Sequence, residues 1–506
     1  MSIKQPQADA VPADRVRYVQ DTFLGYDSRN SPILIPPGRG RYAQNVEFTP
    51  LGLFKKGMGS KRVFEQRPAP ANIIRAFRMG TNPDKYICLL ANNTIATMAA
   101  PEGWVTIATG ISFAPMSRAT LNNKVYLANG TDPLIEYDPA TNTTTLLTDA
   151  PLGNIVVQFE SRIWIAGVKS SPSAVYPSAL GDGSTYDLLD SFELSSVDKF
   201  TDSITSMRPW NARMVVFKTN HVYEFSTRAG TFLDVDPRGM YSGVGPRSHE
   251  MTAVGGEGVY FIMPKEGIYK YTGETAPTLI SERVKGDFLY DFDFNSASHR
   301  PVLECGSRQL YFAGWVPNEQ RWRVLLCDLD EYTHVVGSGA EWLFSGQGGD
   351  VYYTRRDKPY LYLFDDNRTT FDGESIESFM EVPDSALGLP INRKRFREIM
   401  VETDNPQATW KLEWWVDGGD PTATSDRMRH GIFSHQPETN NAARWDMGNW
   451  DGFNWASDAD AIDQRLFHFP QGARGRNIRW KFSATGAEPI TLRRLTLNYI
   501  PIKGKR

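Results

Sequence analysis

An all-β fold, built around a β-propeller, is what this 506-residue sequence predicts. Three observations predict it. An aromatic hairpin recurs with a mean spacing near 44 residues, turn-forming residues punctuate the whole chain, and helical periodicity is nearly absent. The chain carries 42 Gly and 32 Pro, and its 13 Trp and 21 Tyr help bring aromatic residues to 12%. Many short aromatic strands broken by turns give this profile. Hydrophobic residues at 41% and charged residues at 23% are ordinary, so the chain can bury a core. The 55 Lys and Arg against 59 Asp and Glu leave a net charge of −4, which argues against a dedicated duplex nucleic-acid binder.

Residues 1–65 read as an extended N-terminal arm. Pro32, Pro36, Pro37 and Pro50, with Gly38, Gly40, Gly52, Gly57 and Gly59, forbid long helices there. Ile33, Val46 and Phe48 still need a surface to cover, so the arm is expected to wrap its own domain or a neighbour. With Lys55 and Lys56 they form a candidate interface. The opening residues lack a basic segment followed by an apolar one, so no signal peptide is expected. No apolar run reaches the ~20 residues of a membrane span.

Residues 66–382 carry the repeat. Hairpins begin near Lys85, Lys124, Arg162, Arg213, Gly258, Gln309 and Asp350. Each unit has two further strand candidates, such as Ser117–Thr120 before and Thr143–Leu147 after the second hairpin. Four strands in about 44 residues is one propeller blade. Turns at Asn92-Asn93, at Asn129-Gly130 and from Pro264 to Gly267 favour tight reversal. Seven blades are expected, or six if an end unit belongs elsewhere.

Residues 391–506 predict a jelly-roll-like C-terminal β-sandwich. Arg395–Thr403, Trp410–Val416, Arg465–Phe469, Asn477–Phe482 and Thr491–Ile500 alternate as strands do. Between them, Trp445, Trp450 and Trp455 recur every five residues among Asp446, Asp451, Asp458, Asp460 and Asp463. A loop packing on a sandwich edge or a partner fits that spacing. A sugar platform or a calcium loop would use the same residue types, although EF-hand spacing is absent.

No chemistry stands out. The three Cys (Cys88, Cys305, Cys327) are too sparse for a disulfide framework and lie at no zinc spacing, which suggests reduced thiols. His430 and His435 sit in a Gly- and Ser-containing context poor for zinc. Arg355, Arg356 and Asp357, and the set Asp182, Asp187 and Asp190, read as solvated turn or loop residues. No nucleophile elbow, metalloprotease helix, phosphate loop or dinucleotide fingerprint occurs in its required context. No catalytic residue, cofactor or metal is expected.

Three segments resemble structural proteins of tailed-bacteriophage virions. They are Asn45–Arg62 (NVEFTPLGLFKKGMGSKR), Ala119–Asp138 with Ser178–Asp182, and Gly243–Tyr271 (GVGPRSHEMTAVGGEGVYFIMPKEGIYKY). The C-terminal β-structure with its Trp-Asp segment is similar to the domain appended to such propellers. The resemblance implies a tail nozzle or tail hub component that forms a homo-oligomeric ring, typically a hexamer, below the portal and adaptor. Adaptor or portal and distal tail or fibre proteins would be its partners, and genome DNA would pass without specific binding. It further implies a virion protein, folded in the host cytoplasm, with no enzymatic role. The alternative is a carbohydrate-binding or glycan-hydrolysing propeller acting in host-surface recognition.

Overall fold

The computed structural model describes residues 15–502 apart from short stretches, the longest being 227–237, 420–428 and 437–461. The chain divides into two compact units. One, the propeller unit, comprises Lys61–Leu329 and Ser338–Phe364; the other, the composite unit, comprises Met1–Ser60, Asp330–Gly337 and Asp365–Arg506.

The propeller unit is a succession of antiparallel meanders, as the repeat predicts. Blade one is Ile73–Arg78, Lys85–Leu90, Thr94–Ala99 and Gly103–Thr109. Blade two is Ser117–Leu121, Lys124–Ala128, Leu134–Asp138 and Thr143–Leu147. Blades three, four and five begin at Ile155, Ile204 and Thr252 and have four strands each. Blade six contributes Val302–Cys305, Leu310–Val316 and Arg321–Asp328 to this unit. Six blades thus run in chain order, and a last meander of Trp342–Ser345, Val351–Thr354 and Leu361–Asp365 follows them. Its first strand packs against the first strands of both blade six and blade one, which closes the circle. Of the two expected counts, seven or six with an end unit apart, the propeller has six blades, with this last meander as the end unit.

Every hairpin read from the sequence supplies the second strand of its meander. These strands are nearly continuous apolar runs because a strand between two neighbouring blades is covered on both faces. Lys124–Ala128 and Arg162–Ala166 are buried at every position after the first. Aromatic rings fill the gaps between blades. Trp164 of blade three meets Phe225 of blade four with centroids 5.8 Å apart, and Phe217 of blade four meets Phe261 of blade five at 5.1 Å. Phe77 of blade one meets Trp342 of the last meander at 5.6 Å. Each such ring contributes about 1.5–3 kcal/mol by its burial.

Turn chemistry explains the reversals. Asn93 and Lys265 adopt left-handed backbone at φ 63° and 66°. The Asn129 side chain accepts from the N–H groups of Thr131 and Asp132 at 3.0 and 2.8 Å, an Asx turn that starts the 129–133 loop.

The composite unit holds two sheets. In the first, Val46–Phe48, Phe54–Lys56, Thr491–Ile502, Arg393–Thr403 and Asp463–His468 pair in that order, and Val16–Gln20 also pairs with Thr491–Ile502. In the second, Glu331–Val336, Tyr42–Gln44, Ser378–Ser385, Ile478–Thr485, Thr409–Val416 and His430–His435 lie side by side. Phe54 and Trp410 bridge the sheets, edge-on to Phe482 at 5.4 Å and Phe467 at 5.7 Å. All five strands expected after residue 391 are present, shifted by one to three residues at their ends.

The arm therefore supplies strands to both sheets of its own chain. Asn45, in left-handed backbone at φ 52°, accepts from the Val336 N–H at 2.8 Å and donates to the Glu377 carbonyl at 2.9 Å. Gly59 leaves no room for a side chain, since a Cβ would stand 2.5 Å from the Thr370 carbonyl oxygen. Among the described residues no helix is long and apolar enough to cross a membrane.

Candidate functional site

The first strand of each meander faces the propeller centre, where a cavity of about 220 Å³ opens. Charged side chains from five different blades line it. Arg78 ends the first strand of blade one, Arg118 is second in that of blade two, and Arg208 lies in Ile204–Trp210 of blade four. His249 and Glu250 precede the first strand of blade five, and Glu304 lies in that of blade six.

Arg208 is anchored at one side. Its Nε donates to Thr252 Oγ1 at 2.8 Å, and its Nη2 to the carbonyls of His249 and Thr252 at 2.9 and 2.7 Å. Burial pushes its pKa down to about 10, against the attraction of Glu304 and Glu250, so it remains a cation at neutral pH. Loss of water, then the Arg208 charge, holds His249 well below the ordinary imidazole range, so this ring is neutral. Ser206 Oγ, fully buried, lies 2.9 Å from His249 Nδ1 and 2.8 Å from Thr252 Oγ1. That hydroxyl braces two inner strands and is not part of the cavity lining.

The two acids differ. Burial opposes ionisation of Glu250, but the Arg75 guanidinium at 3.1 Å outweighs it and keeps its pKa below the usual carboxylate range. Arg75 also lies over the Trp342 ring at 4.4 Å. At Glu304 burial wins, and its pKa is raised despite Arg208, Arg118 and a hydrogen bond with Ser345. Arg118 has the Phe77 ring 5.9 Å away and the Glu304 charge nearby. Among the described residues it has no hydrogen-bond acceptor.

A second cavity of about 90 Å³ is lined by Arg75, Arg300, Arg356 and Glu341. Arg356 pairs with Glu341 at 3.0 Å, and Arg355 with Asp357 at 3.0 Å.

The residues singled out in the sequence do not converge on either cavity. Val46 and Phe48 are buried inside the composite unit. Lys55 pairs with Glu47 at 3.0 Å, and Lys56 is fully buried and donates to the Gly486 carbonyl. Ile33, Trp445, Trp450 and Trp455 lie outside the described residues. Asp182 and Asp187 accept from turn N–H groups at Ser184 and Leu189. His430 and His435 stand at opposite ends of one strand, and His435 Nε2 lies 2.8 Å from the Pro406 carbonyl. Among the described residues no three His, Cys, Asp or Glu side chains gather as metal ligands do. All three cysteines are free, and burial pushes the Cys305 thiol up to about 11.

The central charges were missed in the sequence reading. The available signal was an Arg placed just before the aromatic hairpin in three of the units, at Arg78, Arg118 and Arg208.

No protein-family model and no curated protein matches the chain. Solved structures similar to it include streptogramin B lyase, at 10% identity over 61% of this chain and 97% of that one, TM-score 0.42. YCF48 from Cyanidioschyzon merolae is also similar, at 10% identity over 60% and 98%, TM-score 0.40. So is BamB from Moraxella catarrhalis, at 7% identity over 64% and 99%, TM-score 0.38. At such distances neither activity nor partners transfer.

Proposed function

We propose that the chain is a structural protein of a tailed-phage virion, of the nozzle or hub type, that assembles into a homo-oligomeric ring. The observation that supports this reading is the ordered set of sequence segments, led by Asn45–Arg62. Several residues that carry that segment have identifiable structural jobs. Asn45 ties the arm to two other segments, Phe48 is buried, and Gly59 sits where no side chain fits. In this reading the ring is a hexamer below the portal and adaptor, it performs no catalysis, and the Trp-Asp segment 444–463 is a contact surface. The net charge of −4 per chain makes the ring acidic as a whole, so it would let duplex DNA slide rather than grip phosphate.

Negative-stain microscopy of the full chain, alone and with an isolated portal–adaptor complex, tests the reading. Rings, or association with that complex, are expected. Assembled rings should bind duplex DNA weakly near physiological salt. A monomer at micromolar concentration that ignores the complex would overturn the proposal. The second reading, a carbohydrate-binding propeller, is favoured by one observation, the arginine- and aromatic-lined central cavity.

A further inference from the structure

We infer that the acidic, leucine-tipped loop of blade three, residues 178–191, docks on the outer face of the first sheet of the composite unit in a second copy of the chain. The inference rests on the ring reading proposed above and names the two surfaces that join one subunit to the next.

The loop links the last two strands of blade three, and its turns are fixed by its own side chains. Asp182 accepts from the Ser184 N–H at 2.8 Å. Asp187 accepts from the Leu189 N–H at 2.9 Å and caps the single 3-10 turn Leu188–Asp190. These caps hold Leu180, Leu188 and Leu189 in solvent, at 69, 56 and 92% exposure. Isolated exposed leucines are ordinary, but three on one short loop mark a contact surface. Asp182, Asp187 and Asp190 set its charge, and the segment contains no Lys, Arg or His. The nearest cations, Lys124 and Arg162, also answer Glu136 and Glu160, so the neighbourhood stays acidic.

The complementary surface lies in the composite unit. One face of its first sheet turns Phe396, Ile399, Val401 and Leu497 into the core. Strand alternation puts the residues between them on the opposite face. There the register sets Val19, Thr496, Met400 and Leu466 in one cross-strand row, and Val19 and Leu466 are exposed. Arg17, Arg393, Arg395, Arg474 and Arg494 border that row on the same face, against Glu398 and Glu402. An apolar row among arginines matches the leucines of the loop and opposes its charge, which favours this pairing over contact of either surface with itself. Loop and face are different surfaces, so the contact is heterologous. Each chain offers both halves, and such contacts add subunits head to tail until the rotation closes a ring.

Mass photometry of the full chain and two variants is the test. The loop variant carries Leu188→Asp with Leu189→Asp, and the face variant carries Leu466→Asp with Arg393→Glu. All four positions are exposed, so both variants should melt like the parent. Each alone should need at least tenfold more protein than the parent to assemble. Mixed in equal amounts they should form dimers, because one intact face then meets one intact loop and the chain can grow no further. A parent that assembles while the loop variant assembles equally well would overturn the inference and leave the ring reading standing. Variants that fail to assemble and stay monomeric when mixed would also overturn it, since the two surfaces would then not be partners. A parent that is itself monomeric at micromolar concentration would overturn the ring reading, and this inference with it.

Discussion

Buried or part-buried cations mark both units of this molecule, and the two units handle them differently. In the composite unit Lys394 is fully buried, and its ammonium donates to the carbonyls of Leu389, Asn392 and Arg476 at 2.8, 3.2 and 2.7 Å. Lys56 is likewise enclosed and tied to the Gly486 carbonyl. In the propeller unit Arg118 and Arg208 face a cavity with donors left over. A lysine has three donors, and Lys394 directs each to a backbone oxygen, so it acts as a staple between loops. A guanidinium beside open space leaves its remaining donors to solvent, so it does not tie segments together as Lys394 does.

The largest effect that sharpens this comparison is expected at the paired arginine of the propeller. Glu250→Ala leaves Arg75 buried without its carboxylate, and should cost about 3–5 kcal/mol in urea unfolding. A loss below about 1 kcal/mol would mean that water reaches Arg75 and that the site is less enclosed than its geometry implies.

Next is Lys394→Ala, which strands three backbone oxygens and should cost about 3 kcal/mol. Tryptophan fluorescence during urea unfolding follows it, since Trp410, Trp414 and Trp480 are buried in the same unit. An unchanged midpoint would remove the distinction between staple and site.

Lys56 gives a pH signature of smaller size. Burial lowers its pKa from 10.5 to about 8, against the attraction of Glu488. Below pH 8 the lysine is protonated in both states and the folded protein bears the cost of the buried charge. Between about 8 and 10.5 the folded protein releases the proton while the unfolded chain keeps it, so stability rises with pH. The urea-derived stability of the parent minus that of Lys56→Met should increase by about 1–2 kcal/mol from pH 8 to 9.5. A flat or falling difference would show that Lys56 titrates normally.

The smallest effect is expected at Arg118. Arg118→Met removes a part-buried cation with no hydrogen-bond acceptor among the described residues, and should leave the melting temperature unchanged or slightly raised. A loss comparable to that of Lys394→Ala would show that Arg118 is structural after all.

The propeller was legible because its signal is local. Each second strand is an aromatic, β-branched run of five or so residues bounded by turn residues, and both properties are readable within one segment. The five late strands were legible for the same reason. Glu331–Val336 and the first part of Ser378–Ser385 fall within residues 66–382, the range expected for the propeller, yet they pair within the composite unit. Nothing in an alternating pattern names its partner.

By itself the sequence determined where strands and turns lie, that the class is all-β, and that the arm has apolar side chains to cover. Backbone stereochemistry and hydrophobic alternation act over a few residues, so they are written residue by residue. Only the tertiary structure decided that Val16 lies opposite Tyr499, that Asn45 holds Val336, and that Lys56 and Lys394 are sealed under carbonyls. It alone also brought Arg78, Arg118, Arg208 and Glu304 around one cavity. These residues are separated by up to hundreds of positions along the chain, and their charges couple only through space. Closure of the circle of blades is what brings arginines and glutamates from separate blades to one cavity.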